Sequence, residues 1–401
     1  MKVLVINCGS SSFKYQILEM PKGETLCSGL VERIGDAVGA LTHKIYKNWE
    51  EKKYAFEQPF PDHTAGMRAV VKLLTDPEKG VIKDLSEITA VGHRTVQGGE
   101  RFIKACVVGE EEKKAIRDLS PLAPLHNPAN LQGIEVAQEL FPNAPSVAVF
   151  DTEFHATMPP QSYIYAVPYE YYEKYGVRRY GFHGTSHQYV AETAAEFLGK
   201  KFEEFNCITC HLGNGCSMTA VKNGKSFDTS MGMTPLAGMV MGTRCGDIDP
   251  ALHPYIMQNT GMDIKQLDAV LNKQSGLKGL CGMNDMRDIH SAREKGDKTA
   301  QLAFDVFSHR IRSYLGAYYA VLGRVDAVIF TAGIGENDNH CRAAVCKDLE
   351  HMGIAIDLEK NDKRSGDVRD ISAPGAKVPV LIVPTNEELA IARATLRVLQ
   401  K

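Results

Sequence analysis

The sequence predicts a duplicated α/β fold, with two related domains facing each other across a phosphate-binding cleft. Three observations carry that prediction. The chain opens with a strand, a glycine-containing polar turn and a returning strand, as Val3–Asn7, Cys8-Gly9-Ser10-Ser11-Ser12 and Phe13–Leu18. The same order recurs as Asn206–Cys210, His211-Leu212-Gly213-Asn214-Gly215 and Ser217–Val221. An apolar run followed by a glycine turn also occurs twice, as Ile88–Arg94 before Gly98-Gly99 and Val325–Phe330 before Gly333-Ile334-Gly335-Glu336-Asn337. Glycine has no Cβ, so backbone N–H groups at such turns can approach phosphate oxygens closely.

Bulk properties set the frame. A chain of 401 residues, 44% hydrophobic and 24% charged, has room for two domains with cores of their own. A net charge of −3 gives no case for nucleic acid or an anionic membrane as partner, so an anion must be held by local arginines. The ten cysteines follow no disulfide spacing, and the N-terminal apolar run is too short for a signal peptide or a membrane span. Free thiols in a cytoplasmic protein are expected. Cys207 and Cys210 form a C-x-x-C, but on a strand they point to opposite faces, which argues against a metal or redox pair.

The elements follow in order. Thr25–Arg33 reads as a third strand, and the segment around Tyr46–Tyr54 adds edge strands. His63–Leu74 has Met67, Val70, Val71 and Leu74 at helical spacing. Glu110–Leu119 starts with three glutamates, suited to a helix N-terminus. Pro121–Pro128 reads as a loop, Asn130–Leu140 as a helix and Ser146–Phe150 as a buried strand. The tyrosine-rich stretch Tyr163–Tyr180 lacks periodicity and suits a cleft cover or a subunit contact, and Gly184-Thr185-Ser186 should cap a helix running to Leu198. Asn223-Gly224 marks a hairpin joining Ser217–Val221 to Ser226–Thr229. Met231–Gly246 is rich in Gly and Met, and Pro250–Asn259 and Asp263–Asn272 are helical. Thr299–Leu322, carrying Leu302, Phe304, Val306, Phe307, Ile311, Leu315, Tyr318 and Leu322, predicts a long helix with a broad apolar surface. Val378–Val383 is the last strand, and Glu387–Leu399 closes the chain as a helix that could return to the first domain.

Several residues carry chemistry. Asn7, Ser10, Ser12 and Lys14 surround the first turn and offer phosphate donors and an oxygen for hydrated Mg²⁺. Arg94 ends an apolar strand, where a charge is costly unless an ion pair or a bound anion satisfies it. Arg244, between Gly242-Thr243 and Gly246-Asp247, poses the same alternative; two guanidinium groups could clamp a carboxylate and a transferring phosphoryl group. His183 precedes a helix, which suits packing or capping as well as catalysis. Asp151 and Glu387 each follow a buried strand and are candidates for outer-shell Mg²⁺ contacts or for helix caps. The sequence has no P-loop, protein-kinase signature set or dinucleotide fingerprint, so a nucleotide would be held by the paired turns.

At these residues the chain resembles the acetate kinases. The blocks are VLVINCGSSSFK (3–14), HRTVQGG (93–99), PLAPLHNP (121–128), VFDTEFH (149–155), GFHGTSH (181–187), ITCHLGNGCSM (208–218), MGTRCGDIDP (241–250), GIGEN (333–337) and PTNEE (384–388). Together they span essentially the whole chain. The resemblance implies the duplicated fold shared by sugar kinases, actin and heat-shock chaperones. Its domains would be 1–150 plus 387–401 and 151–386, with an interdomain nucleotide cleft. It also implies reversible phosphoryl transfer from ATP to acetate, giving ADP and acetyl phosphate, with Mg²⁺ or a substituting Mn²⁺. Asn7 and Glu387 would serve the metal, Lys14 and Arg94 ATP and carboxylate, and Asp151 would be the catalytic acid. Because a carboxylate substrate arrives ionised and needs no base, Asp151 is expected mainly to orient the hydrated metal. His183 and Arg244 would stabilise the transition state. The nucleotide would be bound by His211, Leu212, Gly213, Asn214, Gly215, Asp285, Met286, Arg287, Gly333, Ile334, Gly335, Glu336 and Asn337. Val96, Leu125, Phe182 and Pro235 would line the pocket for the methyl group. A cytoplasmic homodimer is implied too. A propionate or butyrate kinase would share the turns, whereas an actin-like ATPase that is not a kinase would have no use for the two arginines. Cys8, Cys216 and Cys245 depart from the family blocks and raise the question of thiol sensitivity.

Overall fold

The structure, a computed structural model, describes residues 1–401 except Asn48, Trp49, Leu125 and Lys401. The chain divides into two compact units, Met1–Glu153 with Asn386–Lys401, and Phe154–Thr385.

The first unit is built on an eight-stranded sheet. Its strands are β1 (Lys2–Cys8), β2 (Ser12–Glu19), β3 (Glu24–Glu32), β4 (Gly39–Lys47), β5 (Glu50–Gln58), β6 (Ile88–Thr95), β7 (Cys106–Val107) and β8 (Ser146–Phe150). Their order is β5-β4-β3-β2-β1-β6-β8-β7. β1, β6 and β8 run parallel, and β1 to β5 form an antiparallel meander. The unbroken apolar runs of β1 and β8 are those of strands covered on both faces. Charged β5 lies at the edge, where such residues deter further strand pairing. One face packs on the helix His63–Leu74, whose start is capped by the Asp62 carboxylate accepting from Ala65 N at 2.8 Å. The helix Asn127–Leu140 starts three residues before the predicted point because Pro128 fits its first turn. The closing helix Glu387–Leu399 covers the opposite face through Ile391, Ala392 and Ala394. It lies so close to β6 that a Cβ on Gly92 would come within 2.6 Å of Thr395 Oγ1.

The second unit repeats the plan with β9 (Cys207–Leu212), β10 (Cys216–Lys222), β11 (Lys225–Thr229), β12 (Ala327–Thr331), β13 (Arg369–Asp370) and β14 (Val380–Ile382). The order is β11-β10-β9-β12-β14-β13. Three antiparallel strands, two parallel ones and a short antiparallel edge match β3-β2-β1-β6-β8-β7 strand for strand. This repeat bears out the duplicated fold. Asn223 (φ 50°) and Gly224 (φ 71°) form the expected hairpin turn. The helix Gly184–Phe197 covers one face, and the long helix Lys298–Leu322 packs on β9 and β10. Asp297 caps that long helix at Thr299 N and Ala300 N. Its Phe304, Phe307, Ile311, Leu315, Tyr318 and Leu322 are buried, but Leu302 turns outward and is 55% exposed. The stretch Gly333–Asn337, expected as a glycine turn, is instead part of a short helix, Ala332–Asn337, entered through a left-handed Ala332 (φ 64°).

Candidate active site

In the first unit, parallel β1, β6 and β8 end at one edge of the sheet, where α/β proteins gather functional groups. Asn7 lies near the end of β1, Arg94 near the end of β6, Asp151 just after β8 and Glu387 at the start of the closing helix. Arg94 grips Asp151 bidentately, with Nε donating to Oδ1 at 2.9 Å and Nη2 to Oδ2 at 2.5 Å. Its Nη1 donates to Asn7 Oδ1 at 3.3 Å, and Glu387 Oε2 lies 3.9 Å from Nε. Burial alone would lower the Arg94 pKa, but the Asp151 and Glu387 charges outweigh it and raise it. Burial raises the pKa of the Asp151 carboxyl, which is only 2% exposed, and the guanidinium opposes that shift. The ion pair that the sequence left open for Arg94 is therefore present. Both Asp151 oxygens accept from Arg94, one bond each, and a carboxylate oxygen can accept a second.

Lys14 lies opposite Asn7 in the β1–β2 pairing and is exposed. Val96 is buried, and its backbone N donates to Asn130 Oδ1 at 3.0 Å, while Asn130 Nδ2 donates to the Cys8 carbonyl at 2.7 Å. Asn127 exchanges two bonds with the backbone of Gln97, each at 3.0 Å. The helix Asn127–Leu140 thus stitches the strand end carrying Val96 to the first glycine turn. Sequence reasoning missed this stitch, although Asn127 and Asn130 stand one helical turn apart at the helix start. Leu125 lies outside the described residues.

In the second unit, Gly213–Gly215 forms the turn between β9 and β10. Gly242 lies close against the turn: a Cβ there would fall 1.8 Å from Asn214 Oδ1, so the Asn214 side chain would have to move. Arg244 sits in the irregular stretch 231–246, whose far end is tied by Asp247: its carboxylate accepts from Gly238 N at 2.7 Å and from the Tyr314 hydroxyl at 2.5 Å. The half-buried Arg244 guanidinium donates to the Pro235 carbonyl at 3.3 Å and reaches Met241 Sδ at 3.6 Å. Among the described residues it has no carboxylate partner, and burial lowers its pKa. His183 occupies the position before the helix Gly184–Phe197 in a left-handed conformation (φ 58°), so the cap is His183 rather than Gly184. A Cβ on Gly215 would lie 3.4 Å from Arg244 Nη1 and 3.7 Å from His183 Cε1. A guanidinium and an imidazole therefore face the same turn.

His211 stacks on His183 with ring centroids 4.2 Å apart and bonds Ser186 Oγ through Nδ1 at 2.8 Å. Phe182 is buried, and its carbonyl accepts from His155 Nε2 at 2.9 Å. Asp285 caps the helix Met286–Glu294 and is held by Arg287, whose guanidinium keeps its carboxyl down at about 2. Arg287 is otherwise open to solvent, whereas Met286 is buried. The Glu336 carboxylate accepts from Ala332 N at 2.9 Å and Thr385 N at 3.1 Å, so it holds the entry of its own short helix. The buried Arg342 supports the same helix by donating to the Gly335 carbonyl at 2.9 Å. Gly333 and Asn337 are exposed and Ile334 is half-buried. Cys8 and Cys216, at the two turns, are buried, which pushes each thiol up to about 12.

A sequence profile of the acetokinase family matches residues 2–393. The acetate kinase of Oleidesulfovibrio alaskensis is 62% identical over 401 residues, covering all of both chains. Among solved structures, the acetate kinase of Porphyromonas gingivalis superposes with a TM-score of 0.95 at 45% identity over 99% of each chain. A propionate kinase from Francisella tularensis superposes with a TM-score of 0.91 at 41% identity, again over 99% of each chain.

Proposed function

The chain belongs to the acetokinase family and transfers a phosphoryl group reversibly from ATP to acetate, and we propose that its two half-sites divide that reaction between them. The carboxylate and the metal fall to the first unit, and the nucleotide and the transferring phosphoryl group to the second. Acetate, with a pKa of about 4–5, is ionised at neutral pH and needs no base. The barrier lies in bringing one anion against another, which oriented cations and hydrogen-bond donors relieve. Three of the five Arg94 N–H donors are engaged by Asp151 and Asn7, leaving one on each terminal nitrogen for a carboxylate. Asp151 acts here as the group that orients Arg94. Val96 then bounds the space for the methyl group.

On the second unit, Arg244 and His183 meet the phosphoryl oxygens beside the Gly213–Gly215 turn. The observation that carries this reading is the half-buried Arg244 guanidinium without an acidic partner among the described residues, since such a charge is costly unless an anion completes it. His211 to Gly215, Asp285 to Arg287 and the exposed Gly333 and Asn337 serve the nucleotide. Glu336 and Met286 serve it only through backbone. Asn7 and Glu387 supply hard oxygens suited to Mg²⁺, which takes few protein ligands and keeps water and phosphate oxygens. Among the described residues no group of three or more His, Cys, Asp or Glu is placed to hold a metal ion. Bound there, Mg²⁺ would neutralise phosphate charge.

The 62% identity to the acetate kinase of Oleidesulfovibrio alaskensis, against 41% to the propionate kinase, favours acetate as the preferred acid. A cytoplasmic homodimer completes the proposal. No described helix is long and apolar enough to cross a membrane, and Val167, Tyr169, Tyr171 and Tyr175 form an exposed apolar stretch suited to a subunit contact. Light scattering on the purified protein reads the dimer directly. The catalytic reading is tested by trapping acyl phosphate with hydroxylamine from ATP and acetate. Wild type should give the hydroxamate and Arg244→Ala almost none; equal yields would overturn the role of Arg244.

A further inference from the structure

Behind His183 lies a buried chain of hydrogen bonds that the reaction itself does not call for. His183 Nδ1 meets Ser217 Oγ at 2.9 Å, and the same oxygen meets His187 Nε2 at 2.6 Å. His187 Nδ1 meets Thr209 Oγ1 at 2.7 Å, and Thr209 Oγ1 donates to the Thr219 carbonyl at 3.4 Å. His187, Ser217 and Thr209 are all fully buried. His183 and His187 stand one helical turn apart, and His187 N donates to the His183 carbonyl at 2.9 Å. Stacking on His211 fixes the plane of the His183 ring.

The donors can be assigned by elimination. A carbonyl only accepts, so the Thr209 hydroxyl hydrogen points to Thr219, and the Thr209 oxygen accepts from His187 Nδ1. Burial holds the His187 pKa well below its ordinary value, so its neutral ring carries one proton and its Nε2 is bare. Ser217 must then donate to His187 Nε2, which spends its single hydrogen. His183 Nδ1 can therefore meet Ser217 only as a donor. The reverse order forfeits the Thr209–Thr219 bond. With Nδ1–H held by Ser217, Nε2, close to the Gly215 turn, bears a hydrogen only when the ring is an imidazolium.

We propose that Ser217 and His187 are positioning residues that fix the proton of His183 on Nδ1, so that His183 addresses the transferring phosphoryl group as a cation through Nε2–H. The inference rests on the catalytic reading of His183 given above, yet the proton's location can be read without turnover. The test is ¹⁵N spectroscopy of histidine-labelled protein, with the His183 signals assigned by their loss in His183→Gln. In wild type, Nδ1 of His183 should carry a proton. In Ser217→Ala the Nε2–H tautomer should appear, with kcat down roughly tenfold and the KM values for acetate and ATP within about twofold. His187→Leu should behave like Ser217→Ala, whereas His187→Gln, whose amide oxygen can take the Ser217 hydrogen, should retain most of the turnover. An unprotonated Nδ1 in wild type, or an unchanged His183 spectrum in Ser217→Ala, would overturn the proposal. The kcat of His183→Gln tests the catalytic reading separately: undiminished turnover there sinks that reading, and with it the phosphoryl role, while leaving the tautomer measurement intact.

Discussion

The two arginines that the sequence presents as equivalent are held in opposite ways. Arg94 arrives with its counter-ion built in, bound bidentately by Asp151 and steadied by Asn7. Arg244 is half-buried against a proline carbonyl and a thioether, with no acidic partner among the described residues. The first arrangement orders a cation at the cost of most of its charge. The second keeps the charge at the cost of desolvating it. A reaction between two anions can use both, one as a rigid template and the other as the charge that binds more strongly as negative charge gathers.

The largest predicted effect falls on Arg244. Arg244→Ala should lower turnover by roughly two to four orders of magnitude, and Arg244→Lys should recover only part, since an ammonium lacks the planar fork. Steady-state rates on the two purified proteins measure this, and full activity in the lysine variant would reduce the site to a point charge. Asp151→Asn comes next. It leaves Arg94 without its charged partner, so turnover should fall by about one to two orders of magnitude, and urea unfolding should show a loss of about 3 kcal/mol. A variant with wild-type stability but altered Mg²⁺ dependence would return Asp151 to the metal.

Val96→Ala probes the first half-site more gently. Hydrophobic pockets separate one methylene by about 1–3 kcal/mol, so kcat/KM for propionate over acetate should rise about tenfold, read by acyl-phosphate formation with each acid. An unchanged ratio removes Val96 from the pocket. The smallest effect concerns the two turns. Cys8 and Cys216 are buried with raised pKa values, so iodoacetamide should first label the partly exposed Cys106, Cys245 and Cys281. Peptide mapping that found Cys8 or Cys216 alkylated first would show that the turns open more readily than their packing suggests.

The fold was legible because each of its parts leaves a local mark. Apolar runs, the Asn223-Gly224 hairpin and the recurrence of strand, turn and strand all survive reading in one dimension. The places of Arg94 and Asp151 were legible too, since Arg94 stands near the end of a buried strand and Asp151 just after one, while Glu387 opens the closing helix. What was hidden depends on partners distant in sequence. Nothing in the block around Glu336 announces Thr385, whose backbone N donates to the Glu336 carboxylate. Leu302 belongs to an apolar run but turns outward, because one side chain's direction in a long helix is set by what packs beside it. His187 lies inside a block that points to His183, and nothing in that block announces Ser217, which joins the two rings.

The contrast between the arginines is tested most directly by measuring stability and turnover on the same preparations of Arg94→Ala and Arg244→Ala. The account predicts that both lose turnover but only Arg94→Ala loses stability. Removing Arg94 leaves Asp151 buried and unpaired, at a cost of about 3–5 kcal/mol, whereas removing Arg244 abandons no partner charge among the described residues. Calorimetric unfolding beside the hydroxamate assay gives both numbers. An Arg244→Ala protein as destabilised as Arg94→Ala, or an Arg94→Ala protein with wild-type stability, would contradict it.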